Sequence, residues 1–137
     1  MSDPVFEGGC LCGAVRYRTT GEPSLVCYCH CRLCQRASGA PVVPWASFST
    51  ERVEWTAGRP TSYASSSWAI RGFCARCGTP LTFQFNDRPE SIDLTLASLD
   101  RPQALKPNLH IHTSSRVEWL TLSDDLPAYP GPPPKTQ

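Results

Sequence analysis

No stretch of this 137-residue chain approaches the ~18 consecutive apolar residues of a membrane-spanning helix, so no membrane is expected among its partners. Neither sign of charge is in excess. Thirteen Lys and Arg against twelve Asp and Glu leave a formal charge of +1. Basic residues neither cluster nor interleave with aromatics, so nucleic acid is not expected as a partner either. Helical periodicity never persists beyond about two turns, and the only internal repetition is among the cysteines. The first residues, Met1-Ser2-Asp3-Pro4-Val5-Phe6-Glu7, carry neither the basic nor the apolar region of a secretory leader. The expectation is a cytoplasmic chain with reduced thiols. Its length suits one domain, and four Trp and five Phe are enough to build a core.

Cysteine is what the chain has in plenty. Four of the eight lie in Cys27-Tyr28-Cys29-His30-Cys31-Arg32-Leu33-Cys34, and the others form the pairs Cys10-Leu11-Cys12 and Cys74-Ala75-Arg76-Cys77. An even number of cysteines also suits a disulfide framework. Cysteines one residue apart, however, point along one side of an extended chain and make poor partners for one another. Thiols this dense suit a soft metal, because paired ligands one or two residues apart converge from a single turn. Zinc is the default ion, since tetrahedral thiolate sites favour it. Gly13 and Gly78 directly follow the two pairs and allow the chain to leave each turn with positive φ. Two zinc ions held by seven thiolates would move the net charge to −2, four positive charges being added and seven removed.

Along the chain, residues 14–18 alternate as a half-buried strand, with Val15 and Tyr17 opposite Arg16 and Arg18. Residues 25–31 read as a second strand, with Cys27, Cys29 and Cys31 on one face and Tyr28 and His30 on the other. Residues 32–38 form one or two helical turns that Gly39 stops. Further strands are expected at 42–48, 53–56, 69–73, 81–85, 92–97, 109–113 and 117–122, separated by Gly, Pro, Asn and Asp clusters. The fold class is mainly β. A single zinc-binding domain spans 1–125. The Pro-rich segment 126–137 forms an extended tail, because proline lacks the amide donor of a sheet interior.

The pairs 10/12 and 74/77 resemble the two halves of a zinc ribbon and together make a closed structural site. Its binding free energy is largely folding free energy, on the order of 10 kcal/mol or more. The cluster 27–34 allows two readings. Four ligands would make a second closed site; three would leave a position for water or substrate, as in catalytic zinc. Residues two apart lie ~6.6 Å apart along a strand, so a turn starting near Cys31 joins Cys29, Cys31 and Cys34 more easily than it joins 27, 29 and 31.

From residue 9 to about 129 the chain resembles the glutathione-dependent formaldehyde-activating enzyme family, which includes centromere-protein-V-like proteins. The marks are Gly9-Cys10-Leu11-Cys12-Gly13-Ala14-Val15, Cys29-His30-Cys31-Arg32-Leu33-Cys34-Gln35-Arg36, Arg71-Gly72-Phe73-Cys74-Ala75-Arg76-Cys77-Gly78, His110-Ile111-His112, Trp119 and Leu126-Pro127-Ala128-Tyr129. The resemblance implies several short coiled antiparallel β-sheets around zinc-binding turns, the Mss4-like fold of guanine-nucleotide-exchange-factor-like zinc proteins. It implies a structural zinc on Cys10, Cys12, Cys74 and Cys77 and a second zinc on Cys29, Cys31 and Cys34. It also implies an enzyme, a carbon–sulfur lyase interconverting S-hydroxymethylglutathione with glutathione and formaldehyde. Cys27 lies outside the three-ligand motif, and His112 stands where an aromatic residue is expected.

On that basis Cys29, Cys31 and Cys34 are the candidate catalytic residues, and a small thiol such as glutathione, with an aldehyde, is the partner. Arg36 and Arg32 are candidates for pairing with its carboxylates, or are ordinary surface arginines. His110 and His112, on one strand face, are candidates for lining the pocket, with His110 taken as a substrate-binding group. His30 reads as a buried, hydrogen-bonded structural residue, and Trp45, Trp55, Trp68 and Trp119 as core. The alternative function is a zinc-stabilised binding module with two closed sites and no chemistry.

Overall fold

The computed structural model describes residues 2–135. Short alternating segments bounded by turn residues fold as ten strands. These are β1 (Val5–Gly9), β2 (Arg16–Thr20), β3 (Leu25–Cys29), β4 (Val43–Ser49), β5 (Val53–Ala57), β6 (Thr61–Ala64), β7 (Ala69–Phe73), β8 (Pro80–Phe85), β9 (Ser91–Thr95) and β10 (His110–Ile111). The single α-helix among the described residues, α1 (Arg32–Ser38), ends at Gly39, whose left-handed φ of 75° lets its amide return to the Gln35 carbonyl. No helix among the described residues is long and apolar enough to cross a membrane.

The strands form two sheets, a three-stranded one in the order β1-β2-β5 and a seven-stranded one in the order β10-β3-β4-β9-β8-β7-β6. All pairings are antiparallel except that of β10 with β3. In β2 the period of two buries Tyr17 and Thr19 and leaves Arg18 exposed. Tyr17 joins Val15, Val26, Ala46, Phe48, Leu81, Leu94 and Leu99 in the main core, and its hydroxyl meets Ser98 Oγ at 2.7 Å. β3 is buried on both sides. Val26 enters that core, while Cys27 and Cys29 enter a second, smaller one with Val43, Trp45, Leu109 and Ile111.

Residues 117–122 do not form the expected strand; Glu118 and Trp119 lie in a turn. The edge that such a strand needs is already taken. The His110 amide donates to the Pro127 carbonyl (2.8 Å), the Tyr129 amide to the His110 carbonyl (2.9 Å) and the His112 amide to the Gly131 carbonyl (2.8 Å). The proline-rich segment thus lies along β10 as an outermost layer, where prolines serve as acceptors only. Trp119 is consequently 76% exposed, and Trp68 is also exposed, so neither belongs to the core; Trp45 is buried and Trp55 packs against Tyr17.

Candidate metal centres and the adjoining cavity

Cys10 and Cys12 sit in the turn between β1 and β2, and Cys74 and Cys77 in the turn between β7 and β8. Their four sulfurs lie within 4.8 Å of one another. Cys12 Sγ is 3.7 Å from Cys10 Sγ and 3.8 Å from Cys74 Sγ. Four sulfurs at about 2.3 Å from one ion are about 3.8 Å apart at tetrahedral angles, so this donor set fits such an ion. Backbone amides orient the sulfurs: Val15 N–H donates to Cys10 Sγ (3.3 Å) and Cys77 N–H to Cys74 Sγ (3.5 Å). The Thr79 hydroxyl accepts from Leu11 N–H (3.0 Å) and meets Cys77 Sγ (3.2 Å), holding the Cys77 thiol down at about 5. The chain leaves the two turns through Gly13 and Gly78 at φ of 81° and 83°.

A second group of sulfurs, Cys29, Cys31 and Cys34, also lies within 4.8 Å. Cys29 ends β3, the chain turns, and Cys31 caps α1 with its sulfur accepting from the Cys34 amide at 3.2 Å. Hydrogen bonds from Cys29 and Cys34 hold the Cys31 thiol far below its usual range. The helix start thus returns Cys34 beside Cys31, which an extended strand does not do. Cys27 is outside the group. It is buried (2% exposed), and that burial, reinforced by the Asp93 charge, pushes its thiol up to about 12. Three sulfurs therefore converge and a fourth nearby thiol does not. All eight cysteines are free thiols, and the two groups can each hold a metal ion.

A cavity of about 520 Å³ opens beside the second group, lined by Cys34, Arg36, Trp45, Tyr63, Arg71 and Phe73 among others. Its lining holds two arginines and no acidic residue. Arg71 Nη2 donates to Cys34 Sγ at 3.6 Å, and its guanidinium lies 4.9 Å from the centre of the Phe83 ring. Arg36 thus borders the cavity, whereas Arg32 turns to Gln35 Oε1 (2.7 Å).

The histidines have other partners. His110 is not among the residues lining the cavity. It is buried, stacked on Tyr28, with Nδ1 2.8 Å from His30 Nε2 and Nε2 2.9 Å from the Asp124 carboxylate. With His110 in the neutral form that donates from Nε2 to Asp124, its Nδ1 accepts from His30 Nε2–H; His30 Nδ1 is buried without a partner among the described residues. Burial and the neighbouring His110 hold His30 below the usual imidazole range. His110 therefore braces the interior behind the cysteine turn. His112 takes a left-handed φ of 54° at the end of β10. Gln35 is a residue that sequence reasoning misses, although it stands in the third motif position after Arg32. It is buried, and its Nε2 reaches the carbonyls of His30 (2.9 Å), Pro41 (3.1 Å) and Ser115 (3.2 Å), tying the cysteine turn to the β10 region. A glutamine directly after the last cysteine of the 29–34 block is the available signal.

Two sheets of short strands carrying two convergent thiol groups define a mainly β protein with two cysteine centres that could each hold a metal ion. Residues 5–115 match the model of the glutathione-dependent formaldehyde-activating enzyme family, and the chain belongs to that family. It is 36% identical over 85 residues to an "Uncharacterized lyase" of Schizosaccharomyces pombe, the match covering 61% of each chain. It is 25% identical over 128 residues to a Halomonas elongata protein named "Putative glutathione-dependent formaldehyde-activating enzyme", covering 86% of this chain and 81% of that one. A crystal structure of a Rhodobacter sphaeroides protein superposes with a TM-score of 0.50 at 26% identity, covering 74% of this chain and 97% of that one.

Proposed function

We propose that this protein is a zinc-dependent carbon–sulfur lyase acting on thiol–aldehyde adducts of the S-hydroxymethylglutathione type, in the cytoplasm. Cys10, Cys12, Cys74 and Cys77 hold a structural zinc, and Cys29, Cys31 and Cys34 hold the second. The observation that carries this reading is the group of three converged sulfurs, with Cys27 excluded and a cavity opening at Cys34. A zinc with three protein ligands supplies a positive charge that favours the thiolate form of a further sulfur ligand.

The chain's own residues do the rest. The Cys34 side of the cavity receives the sulfur end of the substrate, and Trp45, Val43 and Phe73 provide an apolar wall that excludes water. Arg36 offers a carboxylate partner at the rim. In the adduct-forming direction a sulfur–carbon bond forms, the carbonyl π pair moves to oxygen, and the thiol proton ends on that oxygen. Cleavage reverses each of these.

The test is exchange spectroscopy on an equilibrium mixture of glutathione, formaldehyde and their adduct. Protein loaded with two zinc ions should accelerate exchange over the spontaneous rate. Cys34→Ser should abolish the acceleration while keeping the zinc held by Cys10, Cys12, Cys74 and Cys77. Exchange no faster than in buffer would remove the enzymatic reading and favour a binding module.

A further inference from the structure

Arg71 stands in mid-β7, directly opposite Tyr63 on β6 and Phe83 on β8, so the three side chains share one face of the sheet. Its guanidinium is held over the Phe83 ring and donates to Cys34 Sγ. An arginine fixed by a ring and a sulfur has lost most of its freedom before any ligand arrives, and its planar head still carries donors beyond the one used. It lines the cavity that opens on Cys34, where no acidic residue competes for it. Arg36, the other cation in that lining, is exposed and makes no hydrogen bond to a ligand sulfur.

Charge governs which molecules the cavity can admit. Three thiolates around a divalent ion carry one net negative charge, and a fourth sulfur ligand in its thiolate form makes two. A carboxylate on the incoming molecule adds a third. Such a ligand would be repelled from an otherwise neutral cavity, whereas a fixed guanidinium both offsets the sulfur charge and can take the carboxylate bidentately. We infer that Arg71 is the specificity-determining residue of the cavity, selecting thiols that carry a carboxylate over neutral or cationic thiols of the same size. This rests on the second centre accepting a sulfur ligand from outside the chain.

Cobalt(II)-loaded protein provides the test, because an added sulfur ligand changes its sulfur-to-metal charge-transfer absorbance. Three small thiols, 3-mercaptopropionate, 2-mercaptoethanol and cysteamine, are titrated in turn, and the ratio of affinities, anionic to neutral, is compared between proteins. Arg71→Met should lower this ratio about tenfold and raise the relative affinity for cysteamine. Arg71→Gln should do the same, and it keeps the test decisive if the Met variant does not fold. An unchanged ratio overturns the inference, and so does equal weakening of all three thiols, which would mean that Arg71 acts on sulfur charge alone. If the wild-type spectrum responds to no thiol, the open position itself is wrong and the inference falls with it.

Discussion

Burial pushes the Asp93 carboxyl up to about 6, even though Ser47 Oγ donates to it. An acid whose folded pKa lies above its unfolded value binds its proton more readily in the native state, so stability falls as pH rises from about 4 through 6 and the penalty is complete above that. Asp93→Asn removes the ionisation. The variant should therefore melt at a higher temperature than the wild type at pH 8, by roughly 1–3 kcal/mol in stability, with the gap narrowing below pH 6 and closing only below about pH 4; a gap independent of pH would contradict it. Cys27, whose thiol the Asp93 charge helps to push up, gives a second residue-scale prediction. Cys27→Ser should leave two zinc ions per chain by elemental analysis, because that thiol is not among the converged sulfurs; one ion would mean that it ligates. The cysteine blocks were legible because cysteines one to three residues apart bring their sulfurs together from a single turn. The Asp124–His110–His30 chain was not, since His30 and His110 are 80 residues apart and period-two alternation says nothing of what a side chain meets.

At the scale of elements, α1 is encoded by local signals. Its bounds, 32–38, match the expectation because Cys31 provides the cap and Gly39 the left-handed exit. Nothing lies within 4 Å of a Cβ built on Gly39, so Gly39→Ala is strained only in its backbone and should cost about 1 kcal/mol in thermal or urea unfolding. A near-zero cost would mean that the helix end relaxes freely. Strands β3, β4, β7 and β8 were legible from apolar runs between turn residues. β6 was not, because all four of its residues are exposed and show no alternation to read. β1 reads in sequence as a short polar start, because Gly8 and Gly9 look like a loop, although they pair with Tyr17 and Arg16. Residues 117–122 are rich in the apolar and β-branched residues of a strand, but pairing depends on an available edge, and local sequence does not record that residues 127–131 occupy that of β10.

For the molecule as a whole, the two cysteine centres do different work. The first joins a turn of the three-stranded sheet to a turn of the seven-stranded one, across the main core. The second gathers ligands from six consecutive residues. Cys10→Ser combined with Cys74→Ser should therefore lower the melting temperature far more than Cys29→Ser combined with Cys34→Ser, the first pair forfeiting several kcal/mol of metal-coupled folding energy. Equal losses in calorimetry would show that the sheets do not depend on the first centre.

The 62-residue separation between Cys12 and Cys74 also has a kinetic meaning. Closing so long a loop has a large entropic cost that contacts around it must first offset, whereas the donors in residues 29–34 are neighbours as soon as they are synthesised. A chain emerging from the ribosome can thus present the donors of residues 29–34 about 40 residues before Cys74 and Cys77 are there to complete the other set. Scarcity of metal during synthesis would then leave molecules whose local centre is filled while their halves remain undocked.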